Sequence, residues 1–409
     1  MNSEGVIRID AHRGNNLFSI QEMNRSLVLK LLKKQSASSR AQLSKQTGLQ
    51  QATITNIIND FIVWGIVKET GRIEGVKGRK SISLAINDKD YFVAGLRLTR
   101  KYFWIGIYSI TGEQIDVKKE YINSYEGPRM AVEKMKKSTV DMLGKHKDKN
   151  ILALGVALPG PYYPKKGKLD VITDFPGWEN IHIKEEFCNF FDIPVILDHD
   201  ANAGAMAEWW IAPNSLQSGT MVYLAVGQGI GAGIVHNGKI FKGALGTAGE
   251  IGHASIDING HVCECGNRGC LTNYASTSAL LNEIKEARII QHDSKMEEQP
   301  TIENTASAIR AKDPLVCNAF KKTIWYLCAG INSAICSYGP SEIIIGDEMS
   351  IIGQPLLDTI EEIMNTCGIK SLINQVDIKL TSFDYDPAIA GSAALAIDYA
   401  LSNSHIFSQ

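Results

Sequence analysis

The chain has 409 residues, too many for one ordinary domain, and its composition is that of a globular protein with an ample core. No apolar run reaches the roughly 18 residues of a membrane span and no signal peptide is recognisable, so we expect a cytoplasmic protein with no membrane partner. The net charge of −2 is uneven, because residues 1–90 carry fourteen basic and eight acidic side chains and the remainder carries 28 and 36. A basic first segment suggests contact with a polyanion.

The first segment predicts three helices. The apolar residues of Met23–Lys34 fall on one face, as in an amphipathic helix. Ser38 or Ser39 can cap a second helix that ends at Gly48, and a third opens at Gln51 or two residues later. Two short helices joined by a glycine turn are typical of a helix-turn-helix, whose second helix enters the major groove of DNA. The side chains expected to contact DNA here are those of Arg40, Gln50, Gln51, Thr53, Thr55 and Asn56.

Residues 65–86 alternate like a β-hairpin, which would form a wing beside these helices. Its tip carries basic side chains among glycines, and narrow minor grooves attract arginine. The expected wing contacts are Lys77, Gly78, Arg79 and Lys80. We therefore predict a winged helix-turn-helix over residues 1–88 that binds a palindromic operator as a homodimer or a dimer of dimers. A three-helix module without DNA binding, or a head that contacts another protein, are the alternatives.

From residue 89 to residue 409 the pattern predicts strands interleaved with helices. That order fits an α/β domain with two similar lobes around a cleft. The predicted helices cover residues 127–143, 277–287, 314–337, 355–364 and 388–401, and the last of these is expected to pack on the first lobe.

A metal site is predicted within the segment 249–276. His253, Cys263, Cys265 and Cys270 supply one imidazole and three thiols within eighteen residues, which is the ligand set of a closed tetrahedral zinc site. The alternative is three reduced cysteines on a surface loop. The five remaining cysteines are scattered, and we expect them to be reduced thiols.

These segments resemble the ROK family, whose name joins repressors, open reading frames and kinases. In that family GEIGH followed by CxCGxxGC holds zinc beside a sugar pocket, and the same pattern runs from Gly249 to Cys270 here. The repressors of the family carry Gly-Arg-Pro where this chain has Gly78-Arg79-Lys80. The resemblance implies an actin-like, ribonuclease-H-like fold for residues 89–409, with two lobes and the zinc motif at 253–270.

The resemblance also indicates that the phosphate loop has been lost. Sugar kinases of the family begin with a strand followed by Asp-x-Gly-Gly-Thr, which places magnesium and lets the backbone approach ATP phosphates. Arg97 stands where that aspartate should be, and Thr99-Arg100 replace the two glycines, although a second glycine-rich turn at 227–233 is kept. Without the first loop the γ-phosphoryl group would not be positioned for transfer, so we expect no enzyme. The alternative is an ATP-dependent ROK sugar kinase with an added DNA-binding domain.

A sugar pocket is the remaining implication of the resemblance. Asp200 matches the kinase general base, and its carboxylate accepts a hydrogen bond from a sugar hydroxyl with or without phosphate transfer. His253 would bind zinc through one ring nitrogen and sugar through the other. The implied sugar-binding residues are Pro159, Gly160, His199, Asp200, Glu250, His253 and Thr272.

This chain departs from the family at three positions of the pocket, where His199, Thr272 and Asp174 replace an asparagine, a glutamate and an asparagine. Each exchange changes a donor or an acceptor near the sugar. We therefore expect an inducer other than the usual glucose or N-acetylated hexose, such as an oligosaccharide or a glycoside. The sequence as a whole predicts a sugar-responsive repressor.

Overall fold

The computed structural model describes residues 17–35, 37–74, 80–123, 127–169, 176–212, 218–290, 299–383 and 386–408. The chain divides into two compact units. We call residues 1–90 together with 398–409 the head, and residues 91–397 the body. The sequence-based division at 88/89 had left the last twelve residues with the body, whereas the structure groups them with the head.

The head contains three helices and a hairpin: α1 Leu17–Gln35, α2 Arg40–Thr47, α3 Gln51–Val63, β1 Val67–Glu74 and β2 Lys80–Ile86. Ser39 caps α2 in a reciprocal capping box with Gln42, and Gly48 ends it with φ 73°, a conformation that glycine adopts without steric cost. These ends confirm the predicted cap and turn. Helix α1 begins six residues before the predicted start at Met23, since no glycine or proline interrupts residues 17–22.

The first lobe of the body is a five-stranded sheet in the order β5-β4-β3-β6-β9. Its strands are β3 Tyr91–Leu98, β4 Tyr102–Ser109, β5 Gln114–Tyr121, β6 Asn150–Leu158 and β9 Val195–His199, with a small hairpin of β7 Tyr162–Tyr163 and β8 Lys168–Leu169. Its helices are α4 Gly127–Lys145 and α5 Ile183–Cys188, and α6 Asp200–Trp210 follows β9 and packs on the sheet of the second lobe. The sequence pattern gave no sign of α6 as a helix, because ten of its eleven residues are buried and no polar face marks a helical period.

The second lobe repeats this arrangement in the order β12-β11-β10-β13-β14. Its strands are β10 Thr220–Val226, β11 Ile230–His236, β12 Lys239–Ile240, β13 Glu342–Gly346 and β14 Asp377–Leu380. Its helices are α7 Thr272–Ala275, α8 Thr277–Ile290, α9 Ile302–Arg310, α10 Pro314–Tyr338, α11 Gln354–Met364 and α12 Lys370–Ile373. In each lobe three antiparallel strands are followed by two parallel ones, which confirms the prediction of two similar lobes.

The last helix, α13 Pro387–Ser402, packs on the sheet of the first lobe as predicted. Two strand glycines make this possible, since a Cβ on Gly95 would lie 2.5 Å from Ser392 Oγ and one on Gly155 would collide with the Ser392 carbonyl. The helix therefore lies directly on β3 and β6, the strands that lead into the cleft. Among the described helices, none is both long enough and apolar enough to cross a membrane.

Candidate functional site

Three acidic side chains from separate parts of the body meet around the buried guanidinium of Arg97. Arg97 lies near the end of β3, and its Nη1 contacts the carboxylate of Asp386, the residue directly before α13. Its Nη2 lies 3.5 Å from Asp200 Oδ2 at the start of α6 and 3.8 Å from Asp347 Oδ2 directly after β13. We call these four residues the Arg97 cluster. It joins both lobes and the last helix.

The electrostatics of the Arg97 cluster show what its positive charge does. Burial opposes the charge of Arg97, but the carboxylates of Asp386, Asp200 and Asp347 outweigh that effect and raise its pKa above the usual value. Burial raises the pKa of Asp386 to about 7 and also raises that of Asp347, against the opposing effect of Arg97. The guanidinium of Arg97 is thus shared among three carboxyl groups. Its positive charge is already compensated inside the protein and is not available to bind a phosphate.

The backbone at Asp347 has φ 65° and ψ −163°, a region that is almost exclusive to glycine and costs of order 1–3 kcal/mol for other residues. Asp347 Oδ1 accepts a hydrogen bond of 2.9 Å from the Glu348 backbone amide. The other carboxylate oxygen lies against Gly227, where an added Cβ would be 2.8 Å away. The strained residue therefore places its carboxylate against the first glycine of the 227–233 turn.

The glycine-rich turn is also tied to the loop that follows β3. Arg100 Nη1 donates to Gln228 Oε1 at 2.9 Å, and the Gly227 amide donates to the Gly229 carbonyl at 3.0 Å. The loop after β3 and the glycine-rich turn are therefore hydrogen-bonded to each other.

His199 and Asp200 lie side by side at the entrance to α6. The His199 ring occupies the space left by two glycines, since a Cβ on Gly160 would collide with its Nε2 and one on Gly231 would lie 2.9 Å from its Cε1. His199 Nε2 is 3.2 Å from Asp200 Oδ1. Asp200 is thus approached by an imidazole on one oxygen and by Arg97 on the other.

A second acidic residue, Asp198, holds the end of β9 in place. Asp198 is 1% exposed, and its Oδ1 accepts hydrogen bonds of 2.8 Å from the His199 amide and from Asn202 Nδ2. Its Oδ2 lies 2.5 Å from Lys242 Nζ, which comes from the second lobe. These contacts fix the backbone that presents His199 and Asp200.

The other expected sugar residues are more dispersed. Pro159 and Gly160 follow β6, and Thr272 opens α7 close to the glycine-rich turn, with its Oγ1 3.8 Å from a Cβ built on Gly229. Glu250 precedes a short 3-10 turn, Ile251–His253, and lines a groove of about 310 Å³ beside α10. Within the described part of the chain, no hydrogen bond or ion pair joins Glu250 or Thr272 to Asp200.

His253, Cys263, Cys265 and Cys270 converge as the sequence predicts. One ligand atom from each lies within 4.8 Å of all the others. Cys263 Sγ is 3.7 Å from His253 Nδ1, and Cys265 Sγ is 3.6 Å from Cys270 Sγ. These separations match the edges of roughly 3.5–3.8 Å that Zn–S bonds of about 2.3 Å and Zn–N bonds of about 2.0–2.1 Å produce in a tetrahedron. The four residues therefore form a group that can hold a metal ion.

The expected DNA contacts occupy the start of α3 and its surroundings. Gln50, Gln51 and Asn56 are exposed, and Thr53 and Thr55 are half-buried. Thr55 Oγ1 donates to the Gln51 carbonyl at 2.8 Å, and Arg40 Nη1 lies 3.7 Å from Glu69 Oε1 on β1. Lys77, Gly78 and Arg79 lie outside the described residues, as does Asp174 in the body, and Lys80 is described only as the first residue of β2.

Two members of the Arg97 cluster, Asp347 and Asp386, were not predicted from the sequence. Only Arg97 was singled out there, as the residue that replaces an aspartate. A signal existed, because an arginine inside the apolar strand Tyr91–Leu98 is bound to be buried, and a buried charge requires acidic partners. A carboxylate directly after the apolar strand EIIIG was the natural candidate.

Comparison with known proteins agrees with this geometry. The family model described as "ROK family" matches residues 93–399. The xylose repressor of Caldicellulosiruptor bescii is 30% identical over 396 residues, which cover 94% of this chain and 97% of that protein. The crystal structure of a ROK family transcriptional regulator, a homologue of the E. coli MLC protein, is 25% identical with a TM-score of 0.80, and the match covers 95% of this chain and 98% of that one.

A kinase structure matches the body less well. The ROK family glucokinase from Streptomyces griseus, solved with glucose and AMPPNP, is 20% identical with a TM-score of 0.65. It covers 74% of this chain and 98% of its own, so it shares the fold and lacks a counterpart to about a quarter of this chain. The fold, the family model and the relatives matched along nearly the full chain agree: this protein belongs to the ROK family.

Proposed function

We propose that this protein is a sugar-responsive transcriptional repressor, whose head binds operator DNA and whose body binds a carbohydrate inducer without phosphorylating it. The observation that carries the proposal is the Arg97 cluster. Phosphoryl transfer requires a metal carboxylate and open backbone amides around the phosphates. In this chain the first position is a buried arginine, and the carboxylate of Asp347 lies against the second glycine-rich turn.

Sugar binding requires neither a metal-binding carboxylate nor open backbone amides around phosphates. Asp200 and His199 present acceptor and donor atoms side by side, and a carboxylate is a strong acceptor for a sugar hydroxyl. Pro159, Gly160, Glu250, His253 and Thr272 complete the proposed sugar-binding set. Its departures from the family at His199 and Thr272 support a ligand other than a simple glucose-type hexose.

The head is proposed to read DNA through the start of α3 and the wing. The exposed amides of Gln50, Gln51 and Asn56 can pair with base edges, while Arg40, Thr53, Thr55 and the wing residues Lys77, Gly78, Arg79 and Lys80 supply backbone and groove contacts. Helix-turn-helix proteins bind palindromes as dimers, so we propose a homodimer or a dimer of dimers. The names of the relatives matched along nearly the full chain, which are repressors, support this assignment.

We propose zinc as the ion held by His253, Cys263, Cys265 and Cys270. Burial and the neighbouring thiols raise the pKa of Cys270 to about 12, so its thiolate requires a cation beside it. A closed site of this kind contributes to folding and leaves no position for catalytic water. Because Nδ1 of His253 faces the thiols, its Nε2 remains for the sugar.

The test is an operator titration with two enzymatic controls. Binding to the neighbouring intergenic DNA is measured with and without D-xylose, N-acetylglucosamine, glucose and oligosaccharides of these sugars. We expect nanomolar binding, roughly 10⁻⁸ M or tighter, that one sugar weakens. The same samples are incubated with Mg-ATP and analysed for sugar phosphate and for ADP. Absence of specific DNA binding would reject the repressor, and ATP-dependent sugar phosphorylation would reject the non-enzymatic body.

A further inference from the structure

An aromatic surface lies on the first lobe beside Arg97. Tyr102 and Trp104 belong to β4, and Lys119 and Tyr121 belong to β5. In the antiparallel register Tyr102 is opposite Tyr121, and Trp104 is opposite Lys119. Directly opposed residues project to the same face of a sheet, and so do residues two apart along a strand. The four side chains therefore form one surface, which we call the aromatic patch.

The aromatic patch is built around one ammonium group. Lys119 Nζ lies 3.8 Å from the ring centre of Tyr102, 5.2 Å from that of Trp104 and 5.4 Å from that of Tyr121. The Tyr102 ring meets the other two nearly edge-on, with ring centres 6.3 Å and 6.2 Å apart. Cation–π attraction holds a lysine ammonium over aromatic faces at such distances. The side chains of the patch therefore hold one another in place.

Two donor groups of the aromatic patch lack an acceptor. Among the residues that the structure describes, no carboxylate pairs with Lys119, whose side chain is exposed. Trp104 Nε1 is shielded from solvent and donates to no acceptor within the same residues. The ammonium and the indole N–H can only donate hydrogen bonds, so a ligand that brings acceptor oxygens would satisfy both.

The aromatic patch is continuous with the Arg97 cluster. Trp104 is also the residue opposite Arg97, so both side chains project to one face of the sheet. Burial and the nearby carboxyl group of Asp386 raise the pKa of Tyr102 to about 12, which keeps its phenol protonated beside the cluster. Neighbouring strands are about 4.8 Å apart. The patch therefore begins one strand away from the arginine that contacts Asp200.

Helix α13 covers only part of this face of the sheet. It packs on Gly95, where a Cβ would lie 2.5 Å from Ser392 Oγ. The aromatic patch remains open, since Tyr121 is 67% exposed and Tyr102 and Trp104 are half-buried. An open group of three aromatic rings beside a cleft is characteristic of a binding surface.

We propose that the aromatic patch binds a further sugar ring, so that the inducer is an oligosaccharide with one ring at Asp200 and another on the patch. A sugar ring has an apolar face of C–H groups, which packs on an aromatic ring, and a rim of oxygens, which accept hydrogen bonds. Tyr121 supplies the exposed ring, and Lys119 and Trp104 supply the donors. Tyrosine and tryptophan suit such a ligand because each combines a flat apolar face with a polar end.

The inference rests on the proposed function and specifies the substrate class of its sugar site. A monosaccharide contacts only the residues around Asp200, whereas an oligosaccharide also gains the contacts of the aromatic patch. The wild type should therefore bind one trisaccharide at least about tenfold more tightly than the corresponding monosaccharide, a difference of about 1.4 kcal/mol.

Calorimetric titration compares D-xylose, glucose and N-acetylglucosamine with xylotriose, cellotriose and tri-N-acetylchitotriose. Tyr121→Ala should weaken binding of the preferred trisaccharide by about three- to tenfold, as for the loss of one stacked ring, and leave the monosaccharide affinity unchanged. Tyr121→Phe keeps the ring and should bind both sugars as the wild type does. The matched control Trp325→Ala, which removes an exposed ring of the second lobe, should also behave as the wild type.

Each outcome of the titration decides the inference. A melting temperature and a monosaccharide affinity equal to those of the wild type show that Tyr121→Ala is folded, and a wild-type trisaccharide affinity in that variant would then overturn the inference. Trisaccharides that bind no more tightly than monosaccharides would overturn it too, while the proposed repressor would stand. Operator binding is measured on the same samples, so a loss of specific DNA binding would count against the repressor alone. Absence of binding of every sugar would overturn both the inference and the sugar response.

Discussion

Asp200 is contacted on both carboxylate oxygens, by His199 at 3.2 Å and by Arg97 at 3.5 Å. Both contacts are longer than a strong charge-assisted hydrogen bond, which leaves the carboxylate able to accept a closer partner. A hydroxyl at ordinary hydrogen-bonding distance would be that partner. At the scale of single residues, the proposed sugar site would therefore exchange a weak internal contact for a stronger contact with its ligand.

We expect Asp200→Asn to bind operator DNA but to resist induction. The substitution removes a charged acceptor, which should cost about 1.5–3 kcal/mol of sugar binding. The operator titration is repeated over a range of inducer concentrations for the wild type, Asp200→Asn and the exposed control Asp192→Asn. An induction curve that coincides with the wild type would exclude Asp200 as a sugar ligand.

The raised pKa of Asp386 determines the sign of a pH dependence that we expect in the stability of the body. Burial raises its pKa from 3.8 to about 7, so the folded state binds more protons than the unfolded state between about pH 4 and about pH 7. The stabilisation is complete below the unfolded pKa and is lost as the pH rises through the folded one. Asp386→Asn cannot titrate, so its free energy of unfolding should rise relative to the wild type from about pH 4 to about pH 7.

Urea denaturation at several pH values across that window checks this expectation. The matched control Asp192→Asn, at an exposed position, should differ from the wild type by a constant amount. A constant difference for Asp386→Asn as well would mean that Asp386 is ionised throughout the window.

At the scale of elements, α3 and the wing should contribute differently to DNA binding. Base-edge contacts determine sequence preference, whereas phosphate and groove contacts determine affinity and its dependence on salt. Gln51→Ala or Asn56→Ala should therefore alter the preferred operator at a cost of about 1–3 kcal/mol for the original sequence.

Arg79→Ala should instead weaken binding to all sequences and lower the salt slope by about 1. Binding is measured by fluorescence anisotropy over a series of salt concentrations and operator variants. Equal effects of the two kinds of substitution on every operator would contradict the assignment of sequence preference to α3 and of salt-dependent affinity to the wing.

The segment 249–276, which carries the proposed zinc ligands, is a second element whose role can be tested by metal analysis. The wild type should contain about one zinc per chain, and Cys265→Ser should lose it, because a closed site needs all four ligands. Chelation should then loosen the segment 249–276 and weaken sugar binding, since metal binding contributes to folding. Elemental analysis provides the readout, with the exposed Cys336→Ser as the control. Full zinc content in Cys265→Ser would exclude that residue as a ligand.

At the scale of the whole molecule, sugar affinity should be independent of nucleotide. The Arg97 cluster and the Arg100–Gln228 hydrogen bond occupy the loops that would surround phosphates. Calorimetric titration with sugar should give the same dissociation constant with and without Mg-ATP. A change of tenfold, about 1.4 kcal/mol, would show that the cleft still accommodates a nucleotide.

The sequence predicted much of the fold because its elements carry local signals. The capping serine of α2, the glycine at its end and the alternating apolar strands of both lobes are such signals. Helix α6 lacked one, since burial on all sides removes the helical period. The metal ligands were readable because four of them occur within eighteen residues, whereas Asp347 and Asp386 approach Arg97 from distant parts of the chain.

The glycine-like backbone of Asp347 has an evolutionary consequence. If Arg97 alone were exchanged for an aspartate, four carboxyl groups would face one another in a buried cleft without a cation. If Asp347 alone were exchanged for glycine, the backbone strain would be relieved but Arg97 would lose a partner and still block the first loop. Either substitution alone therefore yields a protein that is destabilised or still unable to bind phosphate in the first loop. The ion pairs around Arg97 therefore disfavour the formation of a phosphate-binding cleft by single substitutions.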